Sequence, residues 1–196
     1  MHLANPLPRR YNLRKSERKG RHGNGTYPKL ARSTAENLRG IRGEAIFVAR
    51  ISNFCDRDLP YFDPHFLGDK FPVFDHLVNV VDGTEVSAFF FAQVRTTGTG
   101  YETRQDGKKY LKVQASREDL EAMRRYPGPA YFFGIDDGDD KGRAYVVAIS
   151  GERRSGFSAM TTDFEVDCHT LRTMWDEVKA YWAGGSSLFT SRFALK

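Results

Sequence analysis

Two apolar runs dominate the hydropathy pattern of the chain. The first is Phe74-Asp75-His76-Leu77-Val78-Asn79-Val80-Val81, and the second is Ser87-Ala88-Phe89-Phe90-Phe91-Ala92-Gln93-Val94-Arg95-Thr96-Thr97. Both are rich in β-branched and aromatic residues, and Val81-Asp82-Gly83-Thr84-Glu85 supplies turn chemistry between them, which predicts an antiparallel pair joined by a short loop. Upstream, Ser33-Thr34-Ala35-Glu36 has the form of a capping box and opens a helix running to about Asn53. Its apolar positions Leu38, Ile41, Ala45, Val48 and Ala49 recur at helical spacing and are expected to form the buried stripe. A short strand is expected near Tyr61-Phe62. A third strand follows over 107–115, where residues alternate. Ser116-Arg117-Glu118-Asp119 starts a second helix that stops before Pro127-Gly128-Pro129. Ala130–Ile135 and Ala144–Ile149 read as a hairpin around the acidic turn 136–142. The last helix spans Thr170–Trp182, with Leu171, Met174, Trp175, Val178 and Trp182 on one face and Gly184-Gly185 at its end. This order predicts a mixed α/β (α+β) domain, a central mixed sheet flanked by helices.

Composition narrows the class. The 196 residues suit one domain with appendages, and 40% hydrophobic with 28% charged residues is ordinary for a globular chain. No apolar run is long enough to span a membrane, so no membrane partner is expected. Cys55 and Cys168 fit no zinc spacing and make no disulfide framework, which sets a reducing cytoplasm as the expected compartment.

Charge changes the picture at one end. Residues 1–30 carry eight cations against one acid, Glu17, a local +7 that leaves −2 for the remainder of the chain. With three prolines and little apolar periodicity, this segment is expected to be a flexible basic arm, and residues 31–196 a single domain. Arg14, Lys15, Arg18, Lys19 and Arg21 are its candidate phosphate contacts, an electrostatic grip on a nucleic-acid backbone.

The candidate chemistry lies in the polar residues that interrupt the two long runs. Asp75 stands within an apolar strand, and Gln93 and Arg95 are two apart, so they leave one face of theirs. Phosphodiester hydrolysis needs oxygen ligands for a hard cation and a cationic group near the phosphate. Asp75, the Gln93 carbonyl and Glu44 from the first helix are the candidate ligands, and Arg95 the candidate phosphate contact. An Asp75–Arg95 structural ion pair is the non-functional alternative.

The ordered set Glu44, Asp75, Gln93-Val94-Arg95, followed by the Arg117–Tyr126 helix and Pro129–Ile135, resembles the PD-(D/E)xK nuclease superfamily, in particular a small bacterial branch of unknown function. The resemblance covers roughly 33–150. It implies a restriction-endonuclease-like fold, Mg²⁺ or Mn²⁺ at Glu44, Asp75 and Gln93, and cleavage of nucleic acid, DNA before RNA, in roles such as anti-phage defence or repair. Two departures stand out. Gln93 replaces the usual acid, and Arg95 replaces the usual lysine and cannot serve as a base at neutral pH. Lys108, Lys109 and Lys112 are candidates for the missing amine and for nucleic-acid contact. The second reading is therefore an inactive nuclease-fold module that binds nucleic acid or docks with a protein partner or a second copy.

Overall fold

The long runs form the middle of a five-stranded sheet. The structure is a computed structural model that describes residues 32–68, 70–138, 141–150, 155–185 and 188–194. Helix α1 (Arg32–Ile51) is followed by β1 (Phe62–Phe66), β2 (His76–Asp82) and β3 (Glu85–Thr97), then short β4 (Tyr101–Thr103) and β5 (Lys109–Leu111). Helix α2 (Arg117–Arg124), β6 (Ala130–Asp136), β7 (Arg143–Ala148), β8 (Met160–Thr161) and α3 (Cys168–Gly184) complete the chain. The main sheet runs β1-β2-β3-β6-β7, with β3 and β6 parallel and the other pairs antiparallel, so the fold is mixed α/β. The parallel β3–β6 pair needs a crossover. Here β4, β5 and α2 supply it.

The predicted third strand shrinks to β5, which joins β4 and β8 in a separate small sheet. The segment 112–115 leaves the ladder at a tight contact from Val113 N to Leu111 O, 2.8 Å.

Alternation along the central strands gives the sheet two apolar faces. Val78, Phe90, Ala92, Val94, Tyr131, Phe133 and Val146 face one way and pack under α1 and α3. Phe91, Phe132, Tyr145 and Val147 face the other way, toward α2 and the small sheet. Helix α3 follows its expected pattern. Asp167 caps its start, accepting from Thr170 N at 2.8 Å, Leu171, Met174 and Val178 are buried, and Gly185 ends it at φ 58.

Helix α1 departs from its expected pattern. The apolar stripe assigned to the core is on the outside: Leu38, Ile41 and Val48 are 52%, 65% and 39% exposed, and Ala45 and Ala49 are exposed as well. The face against the sheet carries Gly43, Phe47 and Ile51, all buried. A Cβ on Gly43 would meet Thr96 Oγ1 at 1.7 Å, so the missing side chain is what lets the helix backbone lie on β3. Arg39 and Arg42 then reach Asp137 in the β6–β7 turn at 3.4 and 2.5 Å.

Cys55, at φ 53, is bonded to Cys168 at the start of α3, 113 residues further along the chain. The expectation that the two cysteines form no disulfide is therefore corrected: they tie the end of α1 to α3, and the reducing compartment inferred from unpaired thiols loses its support. No helix among the described residues is long and apolar enough to cross a membrane. The basic arm, with Arg14, Lys15, Arg18, Lys19 and Arg21, lies outside the described residues.

Candidate active site

The β2–β3 ladder ends at His76↔Ala92, while β3 continues beside β6 as far as Thr97↔Asp136. Beyond His76 the β2-facing edge of β3 is left without a strand. Asp75 sits at this split, one residue before β2. Its main-chain N–H donates to Ala92 O at 3.0 Å, and its Oδ2 accepts from Val94 N at 2.6 Å and from Gln93 Nε2 at 2.7 Å. The carboxylate thus takes the N–H that a neighbouring strand would otherwise have taken.

A register shift makes this meeting possible. The hairpin pairs Asp82↔Glu85 and Val81↔Val86, but then Val80↔Ala88, so Ser87 is an extra residue on β3. Carried past His76↔Ala92, the shifted register sets Asp75 across from Gln93. Without the bulge Asp75 would face Ala92, and Gln93 would point to the other side of the sheet.

Burial pushes the Asp75 carboxyl up from its ordinary 3.8, opposed by the Val94 N–H and by the positive charge of Arg95. Arg95 is exposed and makes no ion pair with Asp75, so the structural-pair alternative is not what the chain adopts. Glu44 follows Gly43 on α1 and is half-buried. It lines one pocket of about 290 Å³ with Asp75, Arg95, Glu36 and Arg39. Three of the four expected catalytic groups therefore share a pocket. Gln93 is buried beneath it and offers Asp75 its N–H rather than its carbonyl.

Glu36 and Arg39 were not singled out in the sequence. The signal was present, because 36, 40 and 44 recur every fourth residue and so share a stripe of α1, but Glu36 was spent on the capping box. The three lysines separate. Lys112 lines an adjoining groove of about 910 Å³ that also contains Arg95, Thr96 and Glu36. Lys108 instead pairs with Asp163 at 3.2 Å, and Lys109 lies on β5 with its carbonyl accepting from Thr162.

His76, beside Asp75, points to the opposite face. It is 2% exposed between the rings of Phe47 and Phe66, at 4.8 and 5.5 Å, and its Nδ1 has no partner. Burial lowers its pKa from 6.5 to about 4, so it is neutral at pH 7.

Mg²⁺ is commonly held by one or two carboxylates, with water and substrate phosphate oxygens completing its shell. Asp75 and Glu44 fit that donor set. Among the described residues no group of three or more His, Cys, Asp or Glu side chains gathers as a denser cage. Gln93 as oriented does not add a ligand, since an N–H is directed at the carboxylate. Comparison with protein-family models, curated proteins and solved structures gives no match.

Proposed function

We propose that this chain is a nuclease that hydrolyses phosphodiester bonds in nucleic acid, DNA first, with Mg²⁺ or Mn²⁺ held at Asp75 and Glu44. The observation that carries this reading is the meeting of Asp75, Glu44 and Arg95 in one pocket where β2 leaves β3. The order of elements supports a restriction-endonuclease-like arrangement: a helix bearing Glu44, a strand entry bearing Asp75, and a strand bearing Gln93-Val94-Arg95. A divalent ion bound there would lower the pKa of a bound water and neutralise phosphate charge. Asp75 is held in place by the Val94 N–H and by Gln93, so its second oxygen faces a fixed direction. The Arg95 guanidinium, exposed at the pocket, would bind the scissile phosphate and the charge that develops on it. Lys112, in the adjoining groove, gives the strand a second cation.

One observation favours the second reading, a nuclease-fold module that binds without cleaving. Gln93 meets Asp75 with an N–H where the superfamily's acid would present an oxygen. A single experiment separates the two. Single- and double-stranded DNA and RNA are incubated with the protein in Mg²⁺, in Mn²⁺ and in EDTA, alongside Asp75→Asn and Glu44→Gln. The nuclease reading expects metal-dependent cleavage that Asp75→Asn abolishes. A folded wild type that binds nucleic acid and cleaves none of these substrates in either metal establishes the binding module instead.

A further inference from the structure

The Lys112 groove has a second end. Gly156, Phe157 and Ser158 line it, and the same three residues line a separate cavity of about 360 Å³ on the far side of that lip. Its volume falls in the range of small-molecule sites. Tyr110 from β5, Phe157 and Phe164 contribute aromatic rings to its walls, beside Arg104, Lys108, Thr161 and Asp163. The Arg104 guanidinium stands 3.9 Å from the centre of the Tyr110 ring, and Lys108 lies at the rim, paired with Asp163. The chain of features is continuous. Glu44, Asp75 and Arg95 share the first pocket, Arg95 and Lys112 share the groove, and the groove meets the aromatic cavity at Phe157.

We infer that the Tyr110–Phe157–Phe164 cavity accepts an unstacked nucleobase from a single strand whose backbone runs along the Arg95–Lys112 groove. The inference rests on the nucleic-acid reading of the Asp75 pocket and adds a substrate class to it, single-stranded or locally opened DNA. Three physical points support it. Bases stack on aromatic rings and on guanidinium planes; Arg104 covers one face of the Tyr110 ring, which leaves the other face of that ring and the rings of Phe157 and Phe164 for a base. The groove carries Arg95 and Lys112 beside Glu36 and Asp119, and its two cations are the groups in it that phosphates would contact. Duplex DNA keeps its bases inside the stack and reaches such a cavity only by flipping one out, at the cost of its stacking and pairing.

The test measures binding in EDTA, so that it does not depend on cleavage. A short fluorescein-labelled single-stranded DNA and the duplex of the same sequence are titrated with the full chain by fluorescence anisotropy at one salt concentration. Tyr110→Leu removes the ring, and Ser158→Trp fills the mouth from an exposed position, so the second variant folds even if the first does not. Each is expected to weaken single-strand binding about five- to thirty-fold, the equivalent of one stacked base, with duplex binding unchanged. Lys112→Ala is expected to weaken both. Single-strand affinity that survives Tyr110→Leu and Ser158→Trp, or equal losses on single strand and duplex, overturns the inference. Loss of binding in these variants without any cleavage by wild type in Mg²⁺ or in Mn²⁺ would uphold the cavity and remove the nuclease reading. Cleavage that Asp75→Asn stops, with unaltered binding in both cavity variants, would do the reverse.

Discussion

The two faces of the five-stranded sheet are built for different purposes. The face under α1 and α3 is closed. Phe47, Phe90, Tyr131 and Phe133 are wholly buried there, with ring contacts such as Phe47–Phe133 at 4.8 Å, and the Cys55–Cys168 bond holds the two helices together. The other face is only partly covered. Helix α2 and the small sheet pack on Phe91 and Phe132, and between and beyond them lie the Lys112 groove and the aromatic cavity. Rigidity and access are thus separated across one layer of strands. Asp75 is the residue where they meet, since it belongs to the open face but stands at the split that α1 covers from the closed one.

This contrast is tested first where the expected effect is largest. Phe47→Ala on the closed side should lower stability by about 3–5 kcal/mol, whereas Ile41→Ala, on the outer side of the same helix, should stay within about 0.5 kcal/mol. Urea denaturation of the two variants checks this, and similar losses would mean that the outer stripe of α1 is covered in solution.

The closed face should also carry an acid sensitivity. His76 has a native pKa of about 4 against 6.5 when unfolded, so the unfolded state binds the extra proton between these values. Stability is full above pH 6.5 and falls as the pH drops toward 4, by about 2–3 kcal/mol. His76→Phe, which keeps an aromatic ring between Phe47 and Phe66, should flatten that slope in urea midpoints measured from pH 7 to pH 4. An unchanged slope would assign the acid sensitivity to other groups.

Gly43→Ala probes the joint between the faces. The added methyl collides with Thr96, so a loss of about 1–3 kcal/mol is expected and, on the proposed nuclease reading, a fall in metal-dependent cleavage because Glu44 moves with the helix. Thr96→Ala in the same chain should recover part of both, a coupling that a double-mutant cycle measures.

The smallest effect on stability belongs to Asp75→Asn. Because burial raises the Asp75 pKa, the native state holds that proton more tightly than the unfolded state, and the wild type loses stability as the pH rises from 3.8 through the raised value. Asp75→Asn should therefore be as stable as wild type or more so at pH 7, with the gap closing in acid. A marked loss of melting temperature at pH 7 would show Asp75 to be chiefly a structural cap on Val94.

The strands were legible in the sequence because β-branched and aromatic residues fill long runs, and the β2–β3 hairpin, β6 and β7 lie where those runs put them; the helical stripe of α3 was legible too, except at Trp182, which is 37% exposed. The inner face of α1 was not legible. Its contact surface includes a glycine, and glycine adds nothing to a hydropathy pattern even where its smallness decides the packing. The small sheet was hidden for another reason, since strands of two or three residues carry too little alternation. At the site, Asp75 and Gln93 could be chosen by type and order, yet their meeting depends on the Ser87 bulge, and one extra serine in a polar turn leaves no periodic trace. The disulfide joins positions 113 residues apart, a pairing that spacing alone does not suggest.

That disulfide changes the connectivity of the molecule as well as its packing. With Cys55 and Cys168 joined, the polypeptide from the end of α1 to the start of α3 is a covalent ring that contains all eight strands and α2. A single peptide-bond break in the β6–β7 turn or in the loop before β8 leaves one molecule held in one piece. The groove and the Asp75 pocket, both made from residues of this ring together with α1, would keep their parts attached through such a nick until a reductant opened the link.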